Sequence, residues 1–187
     1  MARGRMASHK KGAIEQNAIL VFEDESGFSL RPSVHRTWAP RGQTPVMKHK
    51  SNWKRLSAIG AITCEAGASG RELLLRFEDR PVNEDIVVSF VEGLKAHLGR
   101  RVVLLWDGLP SHRSTKTQEY IASQSDWLTV ERFPAYAPEL NPMEYLWSSA
   151  KSKGVGNLCP DPDSRGCSNW RLSVRKWPNR PTCYTAF

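Results

Sequence analysis

The stretch Val102-Val103-Leu104-Leu105-Trp106-Asp107 decides the fold: five consecutive apolar side chains run directly into a carboxylate. A run so short, with no polar position to mark a solvent face, suits a strand covered on both sides. A second run of the same kind, Ala18-Ile19-Leu20-Val21-Phe22-Glu23-Asp24, also closes on an acid. Strands of this type need helices above and below them. The expected fold class is therefore α/β, a mixed sheet with helices packed on both faces.

Outward from these two runs, the remaining elements follow in order. Ser26-Gly27 is expected to break the first strand, and Arg31-Pro32 and Ala39-Pro40-Arg41-Gly42 supply turn signals. Short strands are expected around Arg36–Trp38 and over Arg55–Thr63. After a Gly/Ala/Ser turn comes another at Glu72–Phe77, so that this part reads as an antiparallel meander. Asn83 is a good N-cap, Glu84 and Asp85 suit the positive end of a helix dipole, and Ile86, Val87, Phe90, Val91, Leu94 and Leu98 recur at helical spacing before Gly99. A strand over Arg101–Trp106, a turn through Gly108 and Pro110, a polar helix over Ser114–Ser123 and a strand at Leu128–Phe133 come next. A proline-punctuated loop then leads to a last helix over Pro142–Lys153. Residues 1–16 read as a flexible basic lead-in, 17–160 as one folded domain and 161–187 as a poorly ordered tail of changed composition.

Charge narrows the class of partner. The 187 residues carry 27 Lys+Arg against 19 Asp+Glu, a net charge of +8, which favours a polyanion such as nucleic acid. From Ser26 to Cys64 there is no acid at all, while Arg31, Arg36, Arg41, Lys48, Lys50, Lys54 and Arg55 supply seven positive charges. Trp38 and Trp53, interleaved with them, offer faces on which bases stack; a solvated hairpin with two core tryptophans fits the same pattern. Cys64, Cys159, Cys167 and Cys183 form no Cys-x-x-Cys pair, so neither a zinc ribbon nor a disulfide framework is favoured. No apolar run approaches the ~18 residues of a membrane span and the basic N-terminus lacks an apolar core, so a soluble chain with no membrane partner is expected.

Three acids stand out against this basic background: Asp24 and Asp107 at the ends of the apolar runs, and Glu144 at the start of the last helix. Carboxylates brought together where a sheet meets a helix suit divalent cations, since Mg²⁺ takes oxygen ligands and keeps waters and substrate phosphates. In a basic chain this points to metal-dependent phosphodiester chemistry. Simpler roles fit the same residues taken singly. Asp24 and Asp107 are residue types that start turns at strand ends. Asn141-Pro142-Met143-Glu144 also fits an N-cap, a first-turn proline and a reciprocal capping-box acid.

Three segments carry a family resemblance. Phe22-Glu23-Asp24-Glu25-Ser26, Trp106-Asp107-Gly108-Leu109-Pro110-Ser111-His112 and Phe133-Pro134-Ala135-Tyr136-Ala137-Pro138-Glu139-Leu140-Asn141-Pro142-Met143-Glu144-Tyr145-Leu146-Trp147 resemble DDE transposases of the mariner superfamily. The nearest likeness is to the bacterial branch of the insertion sequence 630 type. The third segment is the most specific, and the 36 residues between Asp107 and Glu144 match the short gap of mariner-like enzymes. The resemblance implies an RNase H-like fold, with Asp24, Asp107 and Glu144 as the catalytic and metal-binding triad. Glu23 and Glu25 compete for the first position, but strand alternation and the family pattern favour Asp24.

The resemblance further implies two divalent cations, Mg²⁺ or Mn²⁺, and strand cleavage and transfer during transposition. DNA, both transposon ends and target, would be the partner, with a homodimer at the paired ends and a bacterial cytoplasmic, nucleoid-associated setting. A stand-alone RNase H-like nuclease and a non-catalytic DNA-binding remnant are the alternatives. His112, Glu25 and Asn141 are expected to support the site, His112 through a phosphate or a metal-held water unless it is a surface-loop residue. Two departures are visible. Gly108 stands where the family more often has Asn, and the residues before Asp24 are too few for a helix-turn-helix module, which suggests a separately encoded DNA-binding half.

Overall fold

A computed structural model describes residues 17–29, 36–46, 55–65, 71–134, 138–154 and 182–184. Its elements in chain order are β1 (Ile19–Ser29), β2 (Arg55–Cys64), β3 (Glu72–Glu78), α1 (Glu84–Leu98), β4 (Val102–Trp106), α2 (Pro110–Arg113), α3 (Thr115–Ser123), β5 (Leu128–Arg132), α4 (Pro142–Ser149) and β6 (Thr182–Tyr184). The strands form one sheet in the order β5-β4-β1-β2-β3-β6. The β1–β2 and β2–β3 pairs are antiparallel, the meander read from the sequence, whereas β4 and β5 join in parallel beside β1. The two acid-terminated runs are thus adjacent central strands, with Ile19 opposite Val102 and Phe22 opposite Leu105.

Helices cover both faces, as expected. On one face Ile19, Val21, Ile59, Ala61, Leu74, Val102, Leu104 and Trp106 pack against Ile86, Val87, Phe90, Val91 and Leu94 of α1. Burying each of those five helix side chains is worth roughly 1.5–3 kcal/mol. The helix is bounded as its sequence dictates: the Asn83 side chain accepts from the Ile86 N–H, and Gly99 closes it at φ 58°, where a side chain would be strained. On the opposite face, Phe28, Leu56, Ala58, Leu73 and Leu75 receive Met143 and Trp147 of α4, while Leu20, Val103 and Leu105 form a neighbouring cluster.

Four differences from the sequence reading have physical causes. Ser26-Gly27 does not end β1, because β2 pairs along its whole length: Gly27 lies opposite Ser57 and Phe28 opposite Leu56, and Phe28 is buried. The strand expected at Arg36–Trp38 does not form; those residues are irregular and Trp38 is fully exposed, with no sheet partner among the described residues to reward extension. The turn after Asp107 tightens into α2, started by Pro110. The last helix is α-helical only to Ser149 and continues as a π-helical turn over Ala150–Gly154. At the sheet edge Thr182–Tyr184 pairs in parallel with β3; the lead-in 1–16 and the rest of the tail lie outside the described residues.

Candidate active site

β1 carries Glu23, Asp24 and Glu25 in succession in the middle of a paired strand, not at its end. Alternation then sorts them: Asp24 falls on the α4 face with Leu20 and Phe28, and Glu23 and Glu25 fall on the α1 face with Ile19 and Val21. Asp24 is 6% exposed.

α4, which carries Glu144, lies close against the sheet on the Asp24 face, and the Glu144 charge is felt at Asp24. Opposite Asp24 on β2 stands Gly60. A Cβ there would sit 2.5 Å from Leu75 Cδ2, 2.8 Å from Met143 Cε and 3.2 Å from Trp147 Cη2, so the missing side chain is the space α4 occupies. Asn141 caps the helix, its Oδ1 accepting from the Met143 N–H at 3.1 Å. The capping-box role considered for Glu144 is not taken up: the Asn141 N–H donates to the Pro138 carbonyl at 3.0 Å, and Glu144 is exposed.

Asp107 follows β4 directly and opens the turn into α2. Its Oδ1 accepts from the Leu109 N–H at 3.0 Å and lies 3.0 Å from His112 Nδ1, which also faces the Asp107 main-chain oxygen at 3.1 Å. The turn-starting role is therefore real, yet the side chain stays 41% exposed. His112 is neither a surface-loop residue nor free to reach a phosphate. It is 0% exposed, stacked on Trp106 with ring centroids 4.1 Å apart, because the tight α2 turn folds it back under β4.

The electrostatics are those of an undercompensated carboxylate cluster. Burial, then repulsion from Glu144, Glu25 and Asp107, pushes Asp24 from 3.8 up to about 7. Burial would raise Asp107 too, but the hydrogen bonds from His112 and Leu109 outweigh it and hold its carboxyl below the ordinary value. Among the described residues no Lys or Arg pairs with Asp24 or Glu144. Carboxylates left without a paired cation have the chemistry of divalent-cation ligands.

The other expected residues are dispersed. Arg36, Arg41 and Arg55 are exposed, while Arg31, Lys48, Lys50, Lys54 and Trp53 lie outside the described residues. Glu25 points away from the α4 face with Glu23, and both approach His112. Sequence reasoning weighs Glu23 only as a competitor for Asp24. Three successive acids within a strand are the available signal, since alternation must bury at least one beneath a helix on each face.

Residues 19–159 match the family model described as DDE superfamily endonuclease. The chain belongs to this family. Among characterised relatives of this DDE domain, the Transposable element Tcb1 transposase of Caenorhabditis briggsae is 25% identical over 148 residues, covering 73% of this chain and 52% of that protein. The Transposable element Tc1 transposase of Caenorhabditis elegans is 24% identical over 178 residues, covering 88% and 63%. The chain spans about half the length of the Tcb1 relative. Among solved structures, the Mos1 transposase in a paired-end complex with the left transposon end aligns with TM-score 0.59 at 17% identity, over 95% of this chain and 53% of that one. The Mos1 catalytic domain with raltegravir and Mn aligns with TM-score 0.53 at 15% identity, over 95% and 79%. At these identities the likeness shows the fold, which is RNase H-like.

Proposed function

We propose that this chain is the catalytic domain of an insertion-sequence transposase of the 630 type, cutting DNA at transposon ends and joining those ends to target DNA. One observation carries the reading: a buried Asp24, an exposed Glu144 and a half-exposed Asp107 come from β1, α4 and the end of β4 into one neighbourhood, where burial first and then the repulsion of Glu144, Glu25 and Asp107 push Asp24 to about 7. Asp24, Asp107 and Glu144 are the catalytic acids in this reading, and they would hold two divalent cations, Mg²⁺ or Mn²⁺. When bound, such ions activate a water or a DNA 3′-hydroxyl and stabilise the leaving oxygen of an in-line displacement at phosphorus.

The rest of the work falls to the chain. His112 orients Asp107 by holding one carboxylate oxygen and the adjacent main-chain oxygen. Asn141 fixes the start of α4 and thereby the direction in which Glu144 leaves the helix. Exposed Arg36, Arg41 and Arg55, with Arg31, Lys48, Lys50 and Lys54 of the same acid-free segment, supply phosphate contacts, and Trp38 a stacking face. No helix among the described residues is long and apolar enough to cross a membrane. A homodimer on paired ends, a separately encoded DNA-binding half and a bacterial nucleoid setting complete the proposal.

The test is cleavage and strand transfer on duplexes carrying the inverted repeats that flank the gene, in Mg²⁺ or Mn²⁺, with the DNA-binding half supplied. Asp107→Asn and Glu144→Gln should each abolish both steps while leaving the circular dichroism unchanged. Full activity in Glu144→Gln would remove the third acid from the site.

A further inference from the structure

On the α1 face of β1, across the sheet from α4, Glu23, Glu25 and His112 close on one another. Glu23 is 1% exposed, His112 0% and the Glu25 side chain 9%. His112 Nε2 lies 3.5 Å from Glu23 Oε2 and 3.1 Å from Glu25 Oε1. Nε2 and all four carboxylate oxygens are buried without a hydrogen-bond partner among the described residues. An unmet buried carboxylate is costly, and charge-assisted N–H···O⁻ bonds settle nearer ~2.7–2.9 Å than these separations.

The spacing suits an ion held between the atoms. With metal–ligand bonds of about 2.0–2.2 Å, donors around a four-coordinate ion lie ~3.4 Å apart and around a six-coordinate ion ~3.0 Å apart. The 3.1 Å separation falls between those values and the 3.5 Å one lies just beyond the upper, and one donor atom from each of the three residues lies within 4.8 Å of the others. The second ring nitrogen agrees: Nδ1 faces Asp107 Oδ1 at 3.0 Å and the Asp107 main-chain oxygen at 3.1 Å. That is the contact which, in metal-bound histidines, fixes the tautomer leaving Nε2 as the ligand.

We propose that Glu23, Glu25 and His112 form a buried cation site of the Zn²⁺ class, distinct from the cluster of Asp24, Asp107 and Glu144. An imidazole nitrogen among donors that are shut off from bulk solvent disfavours Mg²⁺, which demands octahedral oxygen ligands and keeps its hydration. Two carboxylates able to bind through one or both oxygens complete the coordination of Zn²⁺ within the protein. The ion ties β1 to α2 and, through the His112 ring, fixes Asp107 on the other side of the sheet. It takes the place of the proton that His112 otherwise carries between the two acids.

The experiment uses the full chain bearing Asp24→Asn and Glu144→Gln, so that its outcome is independent of the catalytic reading. The chain is refolded with Zn²⁺, dialysed against metal-free buffer and assayed by atomic absorption. One Zn²⁺ per chain is expected, undisturbed by excess Mg²⁺, with an X-ray absorption edge showing nitrogen and oxygen neighbours only. Adding the isosteric Glu25→Gln should abolish retention and the Zn²⁺-dependent rise in Tm, with far-UV circular dichroism reporting its fold. Absence of Zn²⁺ after refolding, sulfur ligands in the absorption spectrum, or equal retention in a folded Glu25→Gln chain would overturn the site and leave His112 as a protonated counter-charge. If Glu25→Gln does not fold, stoichiometry and ligand identity in the starting chain decide alone.

Discussion

Asp24→Asn should stabilise the metal-free protein, by an amount that depends on pH in a defined direction. In the folded chain Asp24 is pushed from 3.8 to about 7, first by burial and then by Glu144, Glu25 and Asp107. A carboxyl with a raised folded pKa binds its proton more tightly when folded than when unfolded. Its contribution is therefore neutral below about pH 4, falls by 1.36 kcal/mol per pH unit as pH rises towards 7, and is constant above that. The three-unit displacement sets the loss at pH 8 at roughly 4 kcal/mol, a large part of the 5–15 kcal/mol that holds a domain together.

An amide of the same shape at position 24 carries no such penalty. Urea unfolding of both proteins in EDTA, followed by tryptophan fluorescence from about pH 4.5 to 8, gives the difference directly, because the other titrating groups are common to both. The amide variant should have little advantage at the acid end and a few kcal/mol at the alkaline end. Mg²⁺ should then reverse the order, since a ligand that binds only the folded state adds RT ln(1 + [L]/Kd) to the parent and far less to the variant. A difference that does not change with pH, or a less stable variant at pH 8 in EDTA, would refute the burial of Asp24 among like charges.

Other substitutions probe how the site is held. Gly60→Ala should lower stability by ~1–3 kcal/mol, because overpacking of Leu75, Met143 and Trp147 outweighs the ~0.4–1 kcal/mol that Gly→Ala gains from the unfolded chain. Calorimetry checks the sign, and Mg²⁺ affinity should fall with it as α4 is lifted. Asn141→Ala removes the cap on Met143 N–H and should cost about 1 kcal/mol in denaturant unfolding. Replacing Lys48, Lys50, Lys54 and Arg55 with Gln should weaken DNA binding and flatten its dependence on salt by nearly one unit of log–log slope for every phosphate left without its cation. An unchanged slope takes this segment out of the interface.

The layers of the fold were legible because they rest on local pattern. The apolar runs before Asp24 and Asp107, the helical spacing from Ile86 to Leu94, and Asn83 and Gly99 at its ends all act within a few residues. Where pairing decided the outcome, local signals failed in both directions. Ser26-Gly27 reads as a break, yet Leu56 and Ser57 across the ladder hold the strand to Ser29. Arg36–Trp38 reads as a strand, yet among the described residues it has no neighbour to pair with. His112 shows the same limit. Nothing within its own turn indicates that it will stack on Trp106 and vanish from the surface.

Alternation links these observations. Three consecutive acids in a strand cannot share one face, so the segment that delivers Asp24 to α4 must also drive Glu23 and Glu25 beneath α1. The second pair then needs compensating positive charge, and α2 brings up His112, whose ring spans from those acids to Asp107 and offers Nε2 to a cation, or a proton, between them. Asp107 is thereby held from the back of the sheet while its exposed oxygen remains free to act at the front. A change at Glu25 therefore reaches the front cluster without entering it, through the orientation of one imidazole. Glu25→Gln should accordingly shift the Mg²⁺ dependence of cleavage while sparing DNA affinity, and an effect on DNA affinity alone would break that line of reasoning.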